Sequence, residues 1–481
     1  MSYGYVLYLF GLILTVLAVL MLFPIVIAGA YGETAQAAAF AAAASATIFV
    51  GGGLVLGLRG AKRRAGMRSA VLLIILAWCL TPVFAAIPFY TTGSALTFTD
   101  ALFEAVSGLT TTGATILSNV NEQPRSVLLW RSILQWLGGL GTLLTTVGVF
   151  SVLTFGSLPV FTPAIRQGDS LAILERLTPM LRLLLPTYAI LTLLCVIVLW
   201  LTGVPSFDAI SLALSTISTG GFSTHDGTLG ELISPGAQLV VVIFMIIGAV
   251  NFALHAEGIR LRFRHYREEP EVGYLLLLIA LIGLMLFAFS PPTDNYANQL
   301  ASSFFDATSF LTTTGYSLGG RESLSTVPPA FILAVCVLGG SAMSTAGGFK
   351  IIRFILLFRH SSAELRRLAH PHSVIRIHYA GRAVARSLLS GLWIYFIALT
   401  ALIGFTAVIV SLGGYDFQTS LSAAATMASN AGPVFDYTQS GGVSVGAMPA
   451  FVKWSLSVAM IFGRVEILVL LPLFNRSYWQ S

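Results

Sequence analysis

Apolar runs dominate this chain, and polar residues interrupt them at recurring intervals. Residues 6–27 are apolar almost without a break, and residues 37–58 form a tract rich in alanine and glycine. Each is about as long as the roughly 20 apolar residues that a helix needs to cross a bilayer. They predict two spans, over 5–27 and 37–58, and the small residues of the second suit close helix packing in lipid. From residue 69 the pattern becomes a longer unit that occurs four times: span, short half-polar segment, glycine-ended phrase, span. The phrases are Ser107-Gly-Leu-Thr-Thr-Thr-Gly113, Ser215-Thr-Ile-Ser-Thr-Gly-Gly221, Ser309-Phe-Leu-Thr-Thr-Thr-Gly315 and Thr426-Met-Ala-Ser-Asn-Ala-Gly432.

The segment before each phrase is too short to span. About ten residues make a helix of roughly 15 Å, half a bilayer. Asp100 and Asp208 each stand thirteen residues before a phrase glycine, while Asp306 aligns with Glu104 and Asp416 is shifted the other way. An aspartate at such a helix start is expected to cap free N–H groups and favour the positive dipole end. The opposite ends then converge and favour a cation. Small residues ending in glycine leave backbone carbonyls free to replace a hydration shell, the chemistry of a selectivity filter. Gly113, Gly221, Gly315 and Gly432 are all expected to adopt backbone angles that a Cβ resists. Unrelated surface loops would not share phrase, position and polarity four times.

Composition agrees with a membrane protein. Of 481 residues 56% are hydrophobic and 10% charged, against about 25% charged in soluble domains. The first run has no basic leader and no small-residue cleavage site, so it reads as a span and not a removed signal. The net charge is +6, and the basic clusters (Arg59 to Arg68, Arg166 to Arg182, Arg260 to Arg267, Arg359 to Arg386) fall in every second loop. The positive-inside rule puts those loops in the cytoplasm and accounts for them without a nucleic-acid partner. Cys79, Cys195 and Cys336 lie in apolar runs with no metal-type spacing. His370, His372 and His378 share a basic loop without an acidic or cysteine cluster, and no nucleophile–base pair suggests an enzyme. His225 and Asp226 follow the second phrase and are candidates for the outer mouth or a solvated loop.

The fold expected is an all-α integral membrane protein. Two N-terminal spans and a basic loop (1–68) precede four span–pore helix–filter–span repeats, 69–179, 180–271, 272–383 and 384–481, forming one pseudo-fourfold pore. Ten spans place both termini in the cytoplasm.

Two features lie outside the repeat. A glycine–serine stretch over 339–348 interrupts the second span of repeat three. Irregular backbone at membrane depth is tolerated against protein or a water-filled cavity; a helix kink is the competing reading. A nucleotide-binding loop lacks its Gly-Lys-Ser/Thr ending and preceding strand. Arg464 sits deep in the apolar run 455–474, where a charge is costly unless paired or wetted, and Glu466 points to another helix face. Lys350 lies nearer the cytoplasm and could tether the glycine–serine stretch or reach headgroups.

The four phrases, together with Leu338-Gly-Gly-Ser-Ala-Met-Ser-Thr-Ala-Gly-Gly-Phe-Lys350 and Phe462-Gly-Arg464-Val-Glu466, resemble the TrkH family of bacterial potassium-uptake subunits over essentially the whole chain. The resemblance implies potassium uptake across the bacterial inner membrane, with K⁺ as the transported ion. Its ligands would be carbonyls of Thr111, Thr112 and Gly113; Thr219, Gly220 and Gly221; Thr313, Thr314 and Gly315; and Asn430, Ala431 and Gly432. Glycine at all four filter ends favours potassium over sodium, while Asn430 and Pro433 depart from the threonine-rich pattern. A sodium-permeable pore of the same fold and a proton-coupled transporter or membrane enzyme are the alternatives. The resemblance further implies an intramembrane gating loop made by Gly339, Gly340, Ser341, Ser344, Thr345, Gly347 and Gly348. Lys350 is placed beside that loop, and Arg464 near the pore under the filter. Its implied partners are a second copy of the chain and a cytosolic TrkA-type ring. The ring, not this chain, would bind nucleotide.

Overall fold

A computed structural model of the chain describes residues 3–61, 66–95, 97–150, 173–260, 264–291, 295–373, 375–379 and 382–465. It is predominantly helical, with one short hairpin. Helices α1 (Tyr3–Leu20) and α2 (Leu22–Tyr31) form one apolar stretch of 29 residues, followed by α3 (Thr34–Gly57). Their glycines serve close approach. A Cβ on Gly11 would lie 2.8 Å from Gly51 O, so α1 and α3 touch backbone to backbone.

Long and short helices mix along the remaining chain. Helix α4 (Met67–Thr91) leads to short α5 (Phe98–Leu109) and long α6 (Arg125–Phe150). Next come α7 (Ile173–Leu201), short α8 (Ser206–Ile217), the single turn α9 (Leu229–Leu232), and α10 (Pro235–Ala249), which bends by 107° into α11 (Phe252–Ile259). After α12 (Arg264–Glu268) follow α13 (Pro270–Phe289), α14 (Tyr296–Leu311), α15 (Gly320–Ser323), α16 (Pro329–Val337) and α17 (Ile351–Ala369). Strands β1 (His378–Tyr379) and β2 (Arg382–Ala383) pair antiparallel. The last set is α18 (Arg386–Leu412), α19 (Phe417–Ala428), α20 (Val434–Thr438) and α21 (Ala450–Val465). Among the described residues seven helices are long and apolar enough to span, or eight counting α10 with α11 as one.

Large apolar side chains face outward, and the hydroxyls of the phrases are buried. Phe49, Leu201, Leu412 and Phe417 are largely exposed, whereas Thr110, Thr112, Ser215, Thr219, Thr313 and Ser429 are fully buried. An apolar exterior is expected where lipid is the solvent.

The short helices are 12 residues long except α14, which has 16 and begins at Tyr296, earlier than the sequence pattern suggested. The capping expectation holds only for Asp416, which accepts from Thr419 N at the start of α19. Helix α5 is capped by Thr97, which accepts from Asp100 N, and α14 by Asn295; α8 starts at Pro205 without a side-chain cap. Asp100 is instead drawn to a distant cation: its Oδ1 lies 2.6 Å from Lys453 Nζ on α21. Thr97 already accepts at the helix end, which leaves the Asp100 carboxylate to pair with Lys453.

Candidate functional site

The four short helices end in one identical turn. The amides of Thr111, Thr219, Thr313 and Asn430 donate to Gly108 O, Thr216 O, Phe310 O and Met427 O, at 2.9, 3.0, 3.1 and 3.2 Å. The next amides, of Thr112, Gly220, Thr314 and Ala431, reach back to Ser107 O, Ser215 O, Ser309 O and Thr426 O, at 2.9, 2.8, 2.9 and 2.8 Å. This pair of bonds is a Schellman motif, whose left-handed position usually holds glycine. Here it holds Thr111 (φ 52°), Thr219 (52°), Thr313 (60°) and Asn430 (56°). Among the described residues only one other non-glycine residue, Met343, shares that conformation. A left-handed β-branched residue costs about 1–2 kcal/mol, so three threonines there mark backbone held against its preference.

Two residues on, Gly113, Gly221 and Gly315 are left-handed again, with φ 78°, 82° and 86°. Gly432 is not, which corrects the expectation that all four glycines share this conformation. Its amide donates to Thr112 O (2.7 Å), and this contact turns the fourth phrase aside. Glycine is still required there by space, since a Cβ would lie 2.4 Å from Ala114 N.

The phrases meet in cyclic chain order. A Cβ on Gly113 would lie 2.0 Å from Gly220 O, and one on Gly221 would lie 2.0 Å from Thr314 O. A Cβ on Gly315 would lie 2.8 Å from Pro433 Cδ, and Gly432 closes the circle on Thr112. Neighbouring side chains brace this circle. Gln135 Nε2 donates to Gly220 O (2.7 Å), and Tyr316 Oη bonds Ser215 Oγ (2.8 Å) and Phe222 O (2.9 Å). Glu104 accepts from Thr115 Oγ1, Ile116 N and Arg131 Nε, the last at 2.7 Å. Asp306 occupies the corresponding place in the third set, accepting from Ser317 Oγ and Leu318 N. Further out, Asp226 accepts from the amides of Val120 (2.8 Å) and Asn121 (3.0 Å), and His225 Nε2 lies 3.3 Å from Asp208 Oδ1.

Residues 338–350 are non-helical, which settles the kink reading against a bend in one continuous helix. The segment folds back on itself: Gly339 N donates to Phe349 O and Phe349 N to Val337 O. Its tip touches three of the four left-handed non-glycine positions of the phrases. Thr345 Oγ1 lies 3.5 Å from Thr219 Oγ1, Gly347 N donates to Thr313 Oγ1 (2.7 Å), and a Cβ on Gly347 would lie 3.0 Å from Asn430 Cβ. Ser341 N donates to Ala249 O (2.9 Å), and Thr345 N to Gly248 O (3.0 Å), at the bend between α10 and α11.

Three ionic side chains hold the segment. Arg464, buried on α21, donates from Nη2 to Thr345 O at 2.8 Å. Lys350 is buried and its Nζ bonds Ala346 O and Ser344 Oγ, so it ties the loop and does not reach headgroups. Glu271, in the first turn of α13, accepts from Ala342 N at 2.8 Å. Sequence reasoning missed Glu271, Gln135 and Tyr316; the one available signal was an acid just inside an apolar run after Pro270. Glu466 lies outside the described residues. No group of three or more His, Cys, Asp or Glu side chains that could hold a metal occurs among the described residues.

Residues 36–480 match the family model for TrkH, described as a cation transport protein. The chain belongs to the TrkH family. It is 33% identical to the Trk system potassium uptake protein TrkH of Salmonella typhimurium over 434 residues, 88% of each chain. It is 32% identical to the TrkH of Halomonas elongata over 487 residues, covering all of both chains. The crystal structure of the potassium transporter TrkH from Vibrio parahaemolyticus superposes with a TM-score of 0.88 at 30% identity, again over the full length of both.

Proposed function

We propose that this chain takes up potassium through a pseudo-fourfold pore, with 69–179, 180–271, 272–383 and 384–481 each supplying a quarter and 1–68 flanking them. The observation that carries the reading is the cyclic meeting of four identically turned phrases. Alternation of left-handed residues (Thr111, Gly113) with an ordinary one between them turns successive carbonyls to one side of the strand. Carbonyls of the twelve residues 111–113, 219–221, 313–315 and 430–432 then serve as ligands strong enough to strip water and weak enough to release the ion. The negative ends of α5, α8, α14 and α19 add to the cation's stabilisation.

The loop over 338–350, with Gly339, Gly340, Ser341, Ser344, Thr345, Gly347 and Gly348, obstructs the path beneath the filter, and Lys350 and Arg464 hold it there. Basic loops and both termini lie in the cytoplasm of a bacterial inner membrane. A second copy of the chain and a cytosolic nucleotide-binding ring complete the assembly, following the family resemblance. A weakly selective pore is the second reading. It draws on filter four, where Gly432 is not left-handed and Thr112 O already has an amide donor.

Purified protein in liposomes tests the function: potassium flux should exceed sodium flux. Gly113→Ser should weaken that preference, because its Cβ collides with backbone at Gly220 O. Equal fluxes in the parent protein favour the weakly selective reading, and no cation flux at all refutes both.

A further inference from the structure

The fourth filter places a side chain where the other three place nothing. Gly113, Gly221 and Gly315 come from three different quarters, and the Cβ that each lacks would also come close to one common group, beside the carbonyls that Gly113 and Gly221 meet first. That Cβ would lie 3.2 Å from Pro433 Cδ for Gly113, 2.9 Å from Pro433 Cγ for Gly221, and 2.8 Å from Pro433 Cδ for Gly315. A Cβ stands about 1.5 Å from its Cα, so the ring lies within roughly 5 Å of three glycine Cα atoms on three sides. The pyrrolidine thus lies against all three glycines.

Its place along the filter is also defined. The loop over 338–350 touches Thr219, Thr313 and Asn430, the first filter positions. Pro433 meets the glycines, the last positions. Ring and loop therefore stand at opposite ends of the same filters. The turn that delivers the ring is the departure of Gly432 from the left-handed conformation and its amide bond to Thr112 O.

We propose that Pro433 is an outer constriction of the ion path, a second obstruction in series with the loop, and that its ring must shift for a cation to pass. The proposal rests on the pore reading above. A ring touching three walls leaves a cation no free passage between them, and no other quarter contributes a counterpart: the residues after the glycines are Ala114, Phe222 and Tyr316. Tyr316 Oη donates to Ser215 Oγ and Phe222 O, and the Phe222 ring lies under the Arg131 guanidinium, so both rings are engaged elsewhere.

Pro433 has φ −60° and ψ −23°, an ordinary backbone that any residue adopts, so substitution changes ring volume without backbone strain. The test uses the full chain in liposomes, with Arg464→Ala as background so that the loop does not limit flux. Pro433→Val, Pro433→Ala and Pro433→Gly form a size series. Expected is a potassium flux that rises as the side chain shrinks, with valine near the proline parent and glycine about tenfold above it, equivalent to about 1.4 kcal/mol of barrier. A flat series in a conducting parent overturns the proposal. So does a loss of potassium-over-sodium preference without a rise in flux, which would make the ring a wedge that only shapes the filter. If the glycine variant unfolds on heating earlier than the parent, the alanine–valine comparison decides. A parent carrying no potassium in either background overturns the pore reading and this proposal with it.

Discussion

Glu271→Ala should open the ion path from the cytoplasmic side. Glu271 is almost fully buried at the start of α13, and its carboxylate accepts from Ala342 N at 2.8 Å. Lys350 is close enough to interact with the same charge. The bond joins a transmembrane helix to the first limb of the loop, whereas Arg464 grips the tip at Thr345. A hydrogen bond to a charged group is worth about 1.5–3 kcal/mol net. If the displaced loop forfeits this bond, removing it shifts the closed–open balance by that amount, and each 1.4 kcal/mol is a factor of about ten. Potassium flux per molecule should therefore rise by about 10- to 100-fold. Glu271→Gln keeps an acceptor oxygen without the charge, and a neutral bond is weaker by about 1 kcal/mol, so its flux should rise only by roughly fivefold. The assay is potassium-driven flux in liposomes, normalised to folded protein by size-exclusion chromatography and thermal unfolding. A folded Glu271→Ala protein conducting within about twofold of the parent would refute the reasoning, because the bond would then not be broken on opening. Equal effects of alanine and glutamine would place the energy in the charge near Lys350 and not in the bond to Ala342.

Arg464→Ala should also raise flux, by about tenfold or more, since it removes a comparable charged hydrogen bond to Thr345 O; unchanged flux per folded molecule would mark the arginine as structural. Arg131→Met should destabilise the fold by about 3–5 kcal/mol by leaving Glu104 buried without its cation, and Glu104→Gln combined with Arg131→Met should recover most of the loss in thermal unfolding. Gly220→Ala should lower stability as well as potassium preference, because a Cβ there would lie 2.3 Å from Gln135 Cδ; a variant with parental unfolding temperature would show that Gln135 can swing aside.

The recurrence of one local turn was legible in the sequence, though not its bonds: the caps held only at Asp416, and the left-handed threonines were not foreseen. Each Schellman turn needs only contacts five residues back along the chain, so four like phrases fold into four like turns wherever they are placed. The interrupted span was legible for the same reason: glycines and serines over 339–348 cannot sustain a helix against the cost of irregular backbone in lipid unless protein covers them. The family could be read from those two patterns together with Phe462-Gly-Arg464-Val-Glu466. What the sequence could not determine are the choices made between distant segments. Asp100 looks like a helix cap until folding brings Lys453 within 2.6 Å. Gly432 looks like its three counterparts until Thr112, from the other end of the chain, offers its carbonyl to the amide. Lys350 could have faced headgroups, and burial turned it to Ala346 and Ser344. In each case a polar group has more than one acceptable partner within chemical reach. Low dielectric makes leaving it unpaired costly, so the partner it takes is the one that tertiary packing delivers.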